Sequence, residues 1–172
     1  MSKRVLVTGS SSGIGRAIAL RLAQDGWRVA LHYGSGVDEA EATRKALAEG
    51  ASGLYQADLA QPGAGARLFE RALRDGDLYA VVNNAGVYLP LDFLDAGDAV
   101  FEANRHRTFA VNFEAPLDLM RVAAQHFADG QGGKILNVCS RVGFKGESGA
   151  ALYAASKAAL ISLTRSLAVE LA

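Results

Sequence analysis

The chain has 172 residues, 50% of them hydrophobic and 21% charged, a composition ordinary for one soluble globular domain. Lys plus Arg and Asp plus Glu are equal at 18 each, so charge gives no reason to expect nucleic acid or an anionic membrane as a partner. A single cysteine, Cys139, excludes an intrachain disulfide and a cysteine-rich metal site. With no signal-like start and no apolar run of membrane-spanning length, a reducing, cytoplasmic setting is expected.

In chain order, Val5, Leu6 and Val7 predict a short strand over residues 4–8, buried on both faces. Ile14, Ala17, Ile18 and Leu22 recur at helical spacing and predict a helix over residues 13–25. The turn between them carries Gly9, Gly13 and Gly15. A strand that breaks at glycines and passes into a helix aims that helix's free N–H groups at one spot, which attracts a phosphate or pyrophosphate. Glycine suits such a turn because a Cβ would obstruct both the tight backbone and the close approach of an anion. An ordinary glycine-rich turn would look the same from these residues alone.

Further strands are predicted over residues 28–33, 53–57, 80–83 and 134–140. Helices are predicted over 37–49, 65–74, a long region from 97 to 127, and 151 to the end. No repeat or linker interrupts the pattern, so residues 1–172 read as a single domain. Strands alternating with helices imply an α/β fold, a doubly wound parallel sheet with helices on both faces. Right-handed crossovers then place ligands outside the carboxyl ends of the strands.

The chemically capable residues fall at those ends. Asp58 follows the third strand, Asn83-Asn84-Ala85-Gly86 closes the fourth, and Ser140 closes the fifth; each alone could be a turn former or helix cap. In the last helix Tyr153 and Lys157 are four apart, hence neighbours on one face. An ammonium there favours the phenolate over the phenol. A loop containing glycines joins Ser140 to Tyr153, which could bring a hydroxyl and a phenol onto one substrate oxygen. Asn112 lies four residues before Pro116. Proline has no N–H, so the Asn112 carbonyl loses its helical partner, and a water held there could connect Lys157 to solvent. The same pattern also fits a plain helix kink.

With these motifs in this order, the chain resembles a short-chain dehydrogenase/reductase of the single-domain type over nearly its whole length. The T-G-x-x-x-G-x-G loop is Thr8-Gly9-Ser10-Ser11-Ser12-Gly13-Ile14-Gly15. N-N-A-G is Asn83–Gly86, and Asn112, Ser140 and Tyr153/Lys157 complete the set. The resemblance implies a Rossmann-type sheet binding NAD(H) or NADP(H), and reversible hydride transfer between the nicotinamide and a carbonyl or secondary alcohol, without metal. Tyr153 would be the catalytic acid/base. Lys157 would bind the nicotinamide ribose and favour the Tyr153 phenolate, Ser140 would hold the substrate oxygen, and Asn112 would hold the relay water. Cofactor contacts would come from Gly9, Ser11, Ser12, Gly13, Ile14, Gly15, Tyr33, Asp58, Leu59, Asn84, Ala85, Gly86, Tyr153 and Lys157, with Asp58 at the adenine amino group.

The second strand ends His32-Tyr33-Gly34-Ser35, with no acid until Asp38, so no carboxylate stands ready to bind a ribose 2′-hydroxyl. NADP(H) is expected over NAD(H), although the basic residues that NADP-preferring relatives often carry are also missing. Relatives continue beyond the Tyr153 helix with further strands and a substrate lid, so this sequence is expected to be an incomplete chain with the fifth strand as an open edge. The last helix is apolar most of the way round, which predicts a homodimer or homotetramer. The front half looks most like members that reduce 3-oxoacyl groups on acyl carrier protein. Lys134 faces only Asp129 in the approach to the fifth strand, which offers an acidic carrier no basic patch. Sugar, steroid-like and small-ketone substrates stay open. A non-catalytic NADP-binding sensor or scaffold is the rival reading, and His32, His106 and His126 receive no role.

Overall fold

The computed structural model describes residues 2–130 and 132–172. Its centre is a five-stranded sheet of β1 (Arg4–Val7), β2 (Arg28–Tyr33), β3 (Ala51–Gln56), β4 (Ala80–Asn83) and β5 (Lys134–Asn137). All neighbours are parallel, and the strand order is β3-β2-β1-β4-β5. The helices are α1 (Gly13–Gln24), α2 (Val37–Leu47), α3 (Ala64–Arg74), α4 (Asp98–Phe109), α5 (Ala115–Asp129) and α6 (Ala151–Glu170). The chain is thus a Rossmann-type fold, and the predicted alternation is realised element by element.

Successive strand side chains point to opposite faces, and both faces are covered, so β1 can be apolar at three successive positions, Val5, Leu6 and Val7. Val5 and Val7 join Val29, Leu31, Ala19 and Leu47 in one core. Leu6 joins Ala30, Val81, Leu68, Phe69 and Leu119 in the other.

Three strands differ from the sequence expectation: β1 ends one residue early, at Val7, and β3 and β5 differ by more. β3 begins at Ala51 instead of residue 53 because β2 offers a partner from Val29 onward. Opposite the step from Val29 to Leu31, β3 carries one extra residue between Ala51 and Leu54, a bulge that Gly53 makes possible at φ +142°. β5 ends at Asn137 instead of residue 140. It pairs only with β4, and once β4 ends, a last bond from Val138 N–H to the Asn83 carbonyl (2.8 Å) closes the ladder. Beyond it the chain turns into a short 3₁₀ segment, Arg141–Gly143. The outer side of β5 has no strand partner among the described residues, and Leu136 is 55% exposed.

The long helical region divides at residues 110–114, a π-turn in which the Ala115 N–H reaches back five residues to the Ala110 carbonyl. The change of register falls just before Pro116, where a normal helical bond could not form. Among the described residues, no helix is long and apolar enough to cross a membrane.

Candidate active site

The carboxyl end of β1 is tied to the carboxyl end of β4. The Thr8 hydroxyl accepts from the N–H groups of Asn84 and Ala85, both at 3.0 Å. The Asn84 side-chain amide donates to the carbonyls of Thr8 (2.9 Å) and Gly9 (3.1 Å). This close seam, more than a ligand, explains two of the three glycines. A Cβ on Gly9 would stand 2.9 Å from Ala85 Cα, and one on Gly15 would collide with the Gly9 carbonyl and the Asn84 amide. Gly13 differs: φ is +53° and nothing lies within 4 Å of where its Cβ would be.

Helix α1 starts beside that opening, with no side-chain cap on its N-terminal N–H groups and no acidic residue in its first turn. An uncapped, positive helix end facing open space fits a pyrophosphate. A cleft of about 480 Å³ runs along this rim. It is lined by Gly9, Ser11, Ser12, Gly13, Ile14 and Gly15, by Asp58 and Leu59, and by Asn84, Ala85 and Gly86. At the end of β2 the wall is His32, Gly34 and Ser35; the expected Tyr33 is not part of it. Alternation along the strand explains the difference, since His32 and Gly34 share one face and Tyr33 takes the other. The Arg107 guanidinium reaches into the same cleft, 3.9 Å from the Asp58 carboxylate.

Beyond Gly86 lies a second cluster. Asn112 is fully buried; its side-chain oxygen accepts from Val87 N–H at 2.8 Å, and its amide donates to the Val87 carbonyl at 2.9 Å and to Ser156 Oγ at 3.2 Å. Ser156 Oγ in turn donates to the Tyr153 carbonyl at 2.7 Å. Asn112 therefore joins the segment after β4 to α6 through its side chain, a use the proline argument did not foresee. Ser156 was missed altogether, because a serine within a helix carries no local sign of such a bridge.

Lys157 is 4% exposed, and its ammonium donates to the Val138 carbonyl at 3.1 Å. It stands 5.9 Å from the Tyr153 ring centroid. Burial lowers its pKa, with the Cys139 thiol acting weakly in the opposite direction. Burial likewise raises the Cys139 pKa, which marks a packed thiol and no nucleophile. A Cβ on Gly86 would lie 3.3 Å from Asn112 Oδ1 and 3.5 Å from Lys157 Nζ, so glycine there opens the cluster toward the cleft. The Tyr153 ring packs on Tyr88 at 5.0 Å. Ser140 lies three residues past the end of β5, half-buried, and its Oγ accepts from Val142 N–H at 3.4 Å. The 3₁₀ segment it opens lies on α6, where a Cβ on Gly143 would stand 3.1 Å from Ala158 N. Asn112 thus reaches the Tyr153 main chain through Ser156, Lys157 follows one turn later on the same helix, and Ser140 opens the 3₁₀ segment that packs on α6.

His32, given no role in the sequence reading, is 2% exposed and touches the glycine loop. Its Nδ1 accepts from Gly9 N–H at 3.0 Å, and its Nε2 lies 3.1 Å from the Ala57 carbonyl. Burial is the main cause that lowers its pKa to about 4. The unfolded chain, with the ordinary value of 6.5, binds the extra proton between these values. Stability is therefore full above about pH 6.5 and falls as pH drops toward 4, by about 3 kcal/mol in all. Urea midpoints of wild type and His32→Asn at about pH 7 and 4.5 check this; equal acid losses in both would refute it.

The short chain dehydrogenase family model matches residues 3–172. The chain is 34% identical to the 3-oxoacyl-[acyl-carrier-protein] reductase FabG of Staphylococcus aureus, covering 100% of this chain and 70% of that one. It is 33% identical to galactitol 2-dehydrogenase of Agrobacterium fabrum, covering 99% and 65%. Among solved structures it resembles a 3-oxoacyl (acyl-carrier-protein) reductase from Agrobacterium tumefaciens with NADP bound, at TM-score 0.90 and 28% identity over 98% of this chain and 64% of that one.

Proposed function

The chain belongs to the short-chain dehydrogenase family, and from that membership we propose that it transfers hydride reversibly between NADP(H) and a small carbonyl or secondary-alcohol substrate. The observation that carries this reading is the buried Lys157 ammonium beside Tyr153. It makes one protein hydrogen bond among the described residues, which leaves N–H donors for a ribose and positive charge for a phenolate. When bound, the nicotinamide supplies or accepts the hydride. The Tyr153 phenol protonates the substrate oxygen during reduction and takes its proton during oxidation. The Ser140 hydroxyl donates to the same oxygen as charge develops on it. Lys157 holds the ribose, and Asn112 keeps the Val87 segment and α6 in register while its carbonyl holds the relay water.

Glycine at position 13 and the uncapped start of α1 suit the pyrophosphate, and Asp58 suits the adenine amino group. Gly34 and Ser35, the cleft residues after β2, bring no carboxylate against a 2′-phosphate. NADPH is therefore expected to support faster initial rates than NADH at equal concentration, and a strong NADH preference would overturn the choice. The named relatives include a 3-oxoacyl-[acyl-carrier-protein] reductase and a galactitol 2-dehydrogenase, so a 3-oxoacyl thioester is one substrate class among several. The carboxyl end of α6, with Val169 83% exposed and Leu171, just past it, 55% exposed, supports a homodimer or homotetramer. Light scattering at micromolar concentration checks this, and a monomer alone would count against it.

A further inference from the structure

We propose that His32 is the positioning residue of the phosphate-binding loop, holding Gly9 through an unprotonated Nδ1 that only the neutral, Nε2-protonated imidazole can offer. The inference rests on the dinucleotide reading of the cleft and adds a residue to it. Gly9 N–H is a donor and nothing else, so the Nδ1 it meets at 3.0 Å carries no proton. The Ala57 carbonyl is an acceptor and nothing else, so Nε2, 3.1 Å away, carries one. The two contacts select one tautomer from opposite sides of the ring.

The main chain of His32 reinforces the hold. Its carbonyl accepts from Ser10 N–H at 2.9 Å and from Ser10 Oγ at 3.2 Å, while its N–H donates to Ser10 Oγ at 3.0 Å. The loop between β1 and α1 is thereby docked on the end of β2, with Gly9 kept at φ +63°. An imidazolium would set an N–H at Nδ1 against the N–H of Gly9, two donors face to face, and the turn would have to move.

The charged groups around the ring oppose that form. Arg71 of α3, bonded to the Gln56 carbonyl at 2.9 Å, repels a proton on the imidazole, and burial does so more strongly. Asp58 follows Ala57, but its carboxylate caps Ala60 N–H at 3.1 Å and faces Arg107. From β1 and its loop the ring meets the Gly9 main chain, and from α2 the neutral Thr43 Oγ1 donates to the Ser11 carbonyl at 3.0 Å. No carboxylate hydrogen-bonds to the ring among the described residues.

The test uses the whole chain and NADP⁺, followed by calorimetry, with nitrogen NMR of the imidazole as a second readout. Asparagine places its Oδ1 where histidine has Nδ1, so His32→Asn is expected to keep affinity within about threefold of wild type. His32→Leu fills the space but leaves the Gly9 N–H unpaired, and is expected to weaken NADP⁺ binding about tenfold or more. In wild type, Nε2 should be protonated and Nδ1 bare, with no titration between about pH 8 and 5. Leucine binding as well as wild type, or a ring protonated on Nδ1, would overturn the proposal. A wild-type chain that bound neither NADP⁺ nor NAD⁺ would sink the dinucleotide reading instead. The protonation pattern of the ring and the exchange protection of the Gly9 amide would still judge His32 in that case.

Discussion

Tyr153→Phe is expected to lower kcat/KM for carbonyl reduction by about 10²- to 10⁴-fold, the usual contribution of one positioned acid/base group. The same variant should bind NADP(H) within about twofold of wild type, because in the proposed mechanism the lost hydroxyl acts on the substrate oxygen. The ring itself stays packed on Tyr88 at 5.0 Å, and phenylalanine preserves that contact. Rates are to be measured with a 3-oxoacyl thioester, a small diketone and a ketose, beside cofactor titrations. A protein that merely sensed the dinucleotide would lose nothing on this change. Undiminished turnover in the variant would remove Tyr153 from the chemistry, and the enzymatic reading would then need another acid.

Arg4→Met is expected to destabilise the fold by about 3 to 5 kcal/mol, as removal of one partner from a buried charged network does. Arg4 opens β1 at the end of the sheet opposite the cleft, yet it is 6% exposed. All five of its N–H donors are satisfied: Nε by Ser52 Oγ at 2.8 Å, and the rest by the carbonyls of Ala72, Gly76 and Ser52 and by the Tyr55 hydroxyl. Ala72 and Gly76 lie at the carboxyl end of α3, where the helix dipole favours a cation. Tyr55 passes the network on to Asp75 at 2.5 Å, and burial with that bond holds its pKa above the ordinary value. Methionine keeps the stem's packing but takes the N–H donors away from three carbonyls, the Ser52 hydroxyl and a phenol. The midpoint of urea unfolding reads the loss. A change below about 1 kcal/mol would show that water replaces the guanidinium there.

Much of the architecture was legible locally. The strands at 28–33 and 80–83 have the predicted limits, because apolar β-branched runs and their flanking turns announce themselves within a few residues. Asp58, N-N-A-G and Ser140 could be placed on one rim because a parallel sheet with right-handed crossovers leaves ligands only one place to go. Tyr153 and Lys157 were joined to them by helical spacing and the family resemblance. What stayed hidden were contacts between a side chain on one element and the backbone of another. Asn112 to Val87, His32 to Gly9 and Lys157 to Val138 are separated by 25, 23 and 19 positions. No periodicity reports such a pairing.

The amino-acid sequence by itself determined the order of strands and helices, the family, and the identity of the groups able to do chemistry. Tertiary structure decided where β5 stops, why Gly9 and Gly15 must be glycines, and that His32, not Tyr33, forms the wall of the cleft. The physical reason is one of range. Hydrophobic periodicity is set by near neighbours along the chain, whereas strand pairing, tautomer choice and the approach of one loop to another exist only once the sheet has closed.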